Sequence, residues 1–104
     1  MSTVVGPLDE FAVNSVRRVE VDGTPVVVAR TGEGVYALTD RCSHADVPLS
    51  EGELVDNCIE CWLHGSLFDL ATGEPTVPPA SEPVKTWAVQ IVDGVIVIEH
   101  GGTA

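Results

Sequence analysis

Basic residues are scarce: lysine and arginine number 5 against 16 aspartates and glutamates in 104 residues, for a formal net charge of -11 at pH 7. A surface so weighted repels phosphate backbones and anionic lipid, which excludes nucleic acid as a partner. Cysteine is also sparse, at 3 residues, Cys42, Cys58 and Cys61. An odd, small number does not suit a secreted scaffold stapled by disulfides, so reduced thiols or metal ligands are expected. No stretch approaches the roughly 20 apolar residues of a membrane helix, and the opening Met1-Ser2-Thr3-Val4-Val5-Gly6-Pro7 has neither the basic start nor the apolar core of a signal peptide. The expected compartment is the cytoplasm, with no membrane partner. A chain of 104 residues holds material for one core, so a single domain over residues 1–104 is expected and a multidomain enzyme is excluded.

Helical periodicity is likewise missing, and only Ser50 to Val55 has room for a short helical turn. β-branched runs are what the chain does contain. Val16–Val21, Pro25–Arg30 and Gly34–Thr39 are separated by Asp22-Gly23-Thr24 and Thr31-Gly32-Glu33, connections short enough for hairpins. Toward the far end, Val84–Val92 and Val95–Glu99 flank Asp93-Gly94, a pair suited to a type I′ turn. The class is all-β. Both the first few residues and the Gly101-Gly102-Thr103-Ala104 tail read as loose.

Between the strand blocks the texture changes. Residues 40–83 hold all 3 cysteines, His44 and His64 of the 3 histidines, and five of the 7 prolines, so function is sought there. Two short segments each pair a cysteine with a histidine: Cys42-Ser43-His44 and Cys61-Trp62-Leu63-His64, with sixteen residues between His44 and Cys61. A soft thiolate and an imidazole within three residues of each other can turn toward one metal centre, and two such loops supply four ligands. Packed core residues would not be expected to repeat this spacing, nor to be followed each time by turn formers, Ala45-Asp46 and Gly65-Ser66. Zinc fingers usually group like ligands, whereas these loops mix them. Alternation suits a 2Fe-2S centre in which two cysteines hold one iron and two histidines the other. Zinc remains open on spacing alone.

Cys42-x-His44 followed by Cys61-x2-His64-Gly65-Ser66-x-Phe68-Asp69-x3-Gly73 closely resembles the Rieske 2Fe-2S family, in particular the soluble Rieske ferredoxins of multicomponent aromatic-ring dioxygenases. The resemblance implies stacked antiparallel β-sheets, three in number, with a cluster-binding subdomain at one tip and Pro75-Thr76-Val77-Pro78-Pro79 as a covering segment. It implies Cys42 and Cys61 as thiolate ligands of the buried iron, and His44 and His64 as ligands of the outer iron near the surface. Respiratory members carry a disulfide at positions matching Val47 and Leu63, which this chain cannot form. They also use a serine and a tyrosine hydroxyl near the cluster sulfurs; Ser66 matches the serine, but Phe68 stands at the tyrosine position. A missing donor disfavours the extra electron, so the midpoint is expected in the lower part of the Rieske range of about -150 to +300 mV.

Cys58 makes Cys58-x2-Cys61, which invites a zinc or redox reading. In a strand, however, a residue three before Cys61 faces the other way, so Cys58 is expected to be a small packed thiol. Trp62 is expected to pack under its loop, and His100 to be solvated. Asp46, Glu51, Glu53 and Asp56 read as a solvated acidic rim around a docking tip. The resemblance implies an electron carrier, not an enzyme. Its partners would be a ferredoxin reductase and a terminal oxygenase, with the chain itself monomeric and its acidic surface steering it to basic partner patches. The same acidic surface also serves solubility alone. Left open are an accessory ferredoxin of iron-sulfur cluster assembly, a small subunit of a nitrite reductase, and a structural zinc module.

Overall fold

The β-branched runs form strands where the sequence places them, within a residue or two. In the computed structural model, which describes residues 2–41, 47–62, 65–77 and 82–99, ten strands follow in order. They are β1 (Ser2–Pro7), β2 (Ser15–Val21), β3 (Thr24–Thr31), β4 (Gly34–Thr39), β5 (Leu54–Val55), β6 (Cys58–Glu60), β7 (Leu67–Asp69), β8 (Pro75–Val77), β9 (Thr86–Val92) and β10 (Val95–Glu99). All pairings are antiparallel. A six-stranded sheet has the order β1-β10-β9-β4-β3-β2, and a four-stranded sheet runs β5-β6-β7-β8.

The run Pro25–Arg30 is apolar without alternation, the pattern of a strand covered on both faces. β3 behaves accordingly. Val26 and Val28 face one core with Val21, Phe11, Ala37, Ile96 and Ile98, while Val27 and Ala29 face a second with Leu38, Leu49, Ile59, Cys61, Phe68, Leu70 and Val84. β2-β3-β4 is therefore a middle layer, with β1-β10-β9 on one side and the four-stranded sheet on the other. β9 joins the middle layer only through Ala37–Trp87 and Leu38–Thr86, so the large sheet folds over on itself there. The three-sheet stack implied by the resemblance is present, two of its sheets being continuous at that seam.

Asp93 and Gly94 both take positive φ, 52° and 77°, as a type I′ turn requires. Asp22-Gly23 and Asp56-Asn57 repeat the pattern. Several expectations are corrected. The first residues are not loose: Ser2–Pro7 is an edge strand paired along β10, with a bulge between Val4 and Gly6. The last long strand begins at Thr86, because Val84 is drawn off to a backbone bond, its N–H donating to the Gly73 carbonyl at 2.8 Å. The expected helical turn is present at Leu49–Glu51, overlapping the start of Ser50–Val55, whose end is strand, but it does not stand alone, since a second 3-10 turn occupies Leu8–Glu10. Pro75–Val77 is strand β8, and Pro78 and Pro79, like His100 and the C-terminal tail, lie outside the described residues. No helix among the described residues is long and apolar enough to cross a membrane.

Candidate metal centre

The four-stranded sheet is small, and its strands are held by backbone ties at their ends. Ile59 and Phe68 face each other across β6 and β7, both fully buried, and seat this sheet on the middle layer. Each such side chain contributes about 1.5–3 kcal/mol of hydrophobic stabilisation. Gly52 lies so close to β6 that a Cβ there would stand 1.6 Å from the Glu60 carbonyl oxygen, immediately before Cys61.

Cys61 follows β6 directly and is fully buried within the core shared by the middle layer and the small sheet. Its N–H donates to the Ser66 carbonyl at 2.7 Å, and its own carbonyl accepts from the Gly65 N–H at 2.9 Å. Gly65 takes φ +75°, which an L side chain rarely adopts, so the chain reverses tightly between β6 and β7. Ser66 is fully buried beside this turn. These bonds bracket the segment containing His64, which lies outside the described residues, as do Cys42, His44, Asp46 and Leu63. The structure therefore places one of the four expected ligands directly. Among the described residues no three His, Cys, Asp or Glu side chains gather at metal-binding distance.

The residues that are described fit a thiolate-held cluster. A bare thiolate in this apolar core would be costly, whereas a coordinated one shares its charge with metal. The two described cysteines, Cys58 and Cys61, are free of disulfide. Cys58 sits in β6 and is half-buried, while Ile59 beside it is fully buried, in keeping with the expected alternation of faces. Burial pushes the Cys58 thiol upward. A hydrogen bond with Thr76 pulls it the other way, and the charges of Asp69 and Asp56 push it up further. The shift favours the protonated thiol.

Trp62 overturns its expectation. Half of its surface, 50%, is open to solvent, because the tight turn carries position 62 off the end of β6 and away from the core. Glu51, Glu53 and Asp56 are exposed, as the acidic rim requires.

Sequence reasoning missed the anchorage of the first loop. Asp40 follows β4 directly, and its buried carboxylate accepts the Ser50 N–H at Oδ1 and the Ser50 hydroxyl at Oδ2, both at 2.7 Å. Arg18 Nε lies 3.5 Å from Oδ2. The bare sequence gives no signal of this pair, since both residues read as ordinary loop polar groups.

The Rieske [2Fe-2S] domain family matches residues 1–88. The anthranilate 1,2-dioxygenase ferredoxin subunit of Burkholderia cepacia is 38% identical over 97 residues, covering 93% of this chain and 90% of that protein. The ferredoxin of carbazole 1,9a-dioxygenase from Nocardioides aromaticivorans IC177 superposes with a TM-score of 0.91 at 35% identity, covering 94% of this chain and 96% of the other. A chain in the complex of reduced oxygenase and oxidized ferredoxin in carbazole 1,9a-dioxygenase superposes with a TM-score of 0.89 at 33% identity, covering 93% and 91%.

Proposed function

The chain belongs to the Rieske 2Fe-2S domain family, and from that premise we propose that it holds one 2Fe-2S cluster through Cys42, His44, Cys61 and His64 and passes single electrons from a reductase to the terminal oxygenase of an aromatic-ring dioxygenase system. It is an electron carrier and not itself a catalyst. The 104 residues work as one domain, with the ligand loops within about 40–83, as a cytoplasmic monomer. When bound, the cluster supplies a one-electron couple. Cys61 holds its iron from inside a core that excludes water, with Phe68 fully buried across the sheet from Ile59. Trp62 stands on the open side of the same turn, where a partner docks.

The observation that carries this reading is the fully buried, disulfide-free Cys61 at the mouth of the tight β6–β7 turn, inside a motif that alternates cysteine and histidine. The dioxygenase ferredoxins named above, at 38% and 35% identity, favour this reading over an accessory role in cluster assembly, a nitrite reductase subunit and a zinc module. The test is an absorption spectrum of freshly purified protein before and after dithionite, with iron, sulfide and zinc analysis. Brown protein that bleaches and contains about two irons and two sulfides supports the reading. Colourless protein with one zinc overturns it. Because Phe68 brings no hydroxyl, the midpoint is expected below about +150 mV by protein-film voltammetry.

A further inference from the structure

The segment from Arg41 to Leu49 leaves the end of β4 and returns at the 3-10 turn of residues 49–51. Both ends of that segment are tied to one side chain. Asp40 is fixed from behind, since its N–H donates to the Pro25 carbonyl at 2.9 Å and the main chain is thereby pinned to β3. Its carboxylate, with no side-chain surface exposed, reaches across to Ser50 and takes both of that residue's donors at 2.7 Å. The far side is equally fixed: Leu49 is fully buried, the Gly52 N–H donates to the Leu49 carbonyl at 2.9 Å, and Gly52 abuts the Glu60 carbonyl just before Cys61. Hydrogen bonds to an ionised acceptor are about twice as strong as neutral ones, and a buried carboxylate stripped of them is left uncompensated. Arg18, whose side chain is 55% exposed, adds only a partial counter-charge at 3.5 Å.

We propose that Asp40 is a positioning residue for the cluster: its paired hydrogen bonds to Ser50 latch the base of the loop carrying Cys42 and His44, and the integrity of that latch sets how fast the holoprotein loses its cluster. The inference rests on the ligand reading given above, Cys42 lying two residues after the latch. Latching places the loop's two fixed ends before the ligands engage, so that the ordering entropy of the segment is met by the fold instead of by metal binding. Cys61 is anchored separately, through the β6–β7 turn.

Holoproteins of the wild type, Asp40→Ala, Asp40→Asn and Ser50→Ala are challenged with an iron chelator, and decay of the visible absorbance is followed. The thermal midpoint and the EPR spectrum of the dithionite-reduced protein are recorded alongside. Asp40→Ala is expected to bleach about tenfold faster, and Ser50→Ala, which keeps the backbone bond, about threefold faster. Asp40→Asn should recover part of the loss, because an amide oxygen still accepts from Ser50. A shifted or broadened EPR spectrum in Asp40→Ala is the expected sign of displaced ligands. Bleaching at the wild-type rate in both alanine variants overturns the proposal. So does faster bleaching that only tracks a lower thermal midpoint with an unchanged EPR spectrum, since that describes a brace for the fold alone. If Asp40→Ala does not fold, Ser50→Ala decides by the same two criteria. Wild-type protein without iron and sulfide overturns the ligand reading itself, whereas coloured wild type with indifferent variants overturns only the latch.

Discussion

Cys58 and Cys61 stand three residues apart and do different work. Cys61 lies just past β6 at full burial, at the turn that leads to His64, while Cys58 keeps some exposure and a thiol that burial pushes up, with Asp69 and Asp56 pushing the same way against the Thr76 hydrogen bond. The upward shift means that folding opposes ionisation. Any stability tied to this thiol is present at neutral pH and lost only as pH rises through the alkaline range. Iodoacetamide should therefore alkylate Cys58 in the holoprotein more slowly than a free cysteine at pH 7.5, with the rate climbing only above the ordinary thiol range. Cys58→Ala should leave the visible spectrum unchanged; loss of colour in that variant would mean that Cys58 is a ligand.

At the scale of elements, the small sheet depends on turns more than on strand length, since none of its four strands exceeds three residues. The β7–β8 turn shows how. Asp69 Oδ1 accepts the Ala71 N–H at 2.8 Å and the Thr72 N–H at 3.2 Å, the Gly73 N–H returns to the Asp69 carbonyl, and the Gly73 carbonyl takes the Val84 N–H. Gly73 has φ +77°, and a Cβ there would meet the Val84 carbonyl oxygen at 2.0 Å. Gly73→Ala should thus cost about 3 kcal/mol or more and lower the thermal midpoint by about 12 °C or more. Gly94→Ala is the control: it has the same φ with nothing within 4 Å, and should cost about 1–2 kcal/mol. Equal losses in the two variants would show that the close approach to Val84 contributes nothing.

These elements also show what could be read beforehand. β2, β3, β4 and β10 declared themselves through β-branched runs and Asp-Gly turns, signals that are local. β1 was missed because Thr3-Val4-Val5 is too short to show alternation and is held by β10, at the other end of the sequence, at Thr3–Ile98. β5, β7 and β8 were missed for the same reason, two- and three-residue strands having no period to detect, whereas β6 was assumed in reading the Cys58–Cys61 spacing. The proposed ligand positions are read from spacing, because metal chemistry imposes one. Asp40 was not, because its role consists in where Ser50 stands, a fact of tertiary structure. Trp62 misled through a sound general rule, that large aromatics are buried, which the tight turn after Cys61 overrides.

For the molecule as a whole, 5 basic residues face 16 acidic ones, for a net charge of -11. Several of the basic side chains also make contacts within the fold. Arg17 lies over the Phe11 ring at 4.1 Å and Lys85 over the Trp87 ring at 4.4 Å. Arg30 donates to the Leu8 and Phe11 carbonyls, and Arg18 faces Asp40. Meanwhile Glu51, Glu53 and Asp56 are open to solvent. On the proposed function a partner meets a negative surface with Trp62 exposed beside Cys61, an arrangement in which charge would govern encounter and the aromatic contact lifetime. Raising ionic strength from about 0.01 to 0.5 M shrinks the screening length from about 30 Å to under 8 Å. The second-order rate of electron transfer to a basic-surfaced oxygenase, measured by stopped flow, should fall by about tenfold or more over that range. Trp62→Ala should slow the reaction at every salt concentration while leaving the slope against ionic strength unchanged. A rate that stays flat or rises with salt would remove charge steering from the account and leave the acidic surface to solubility alone.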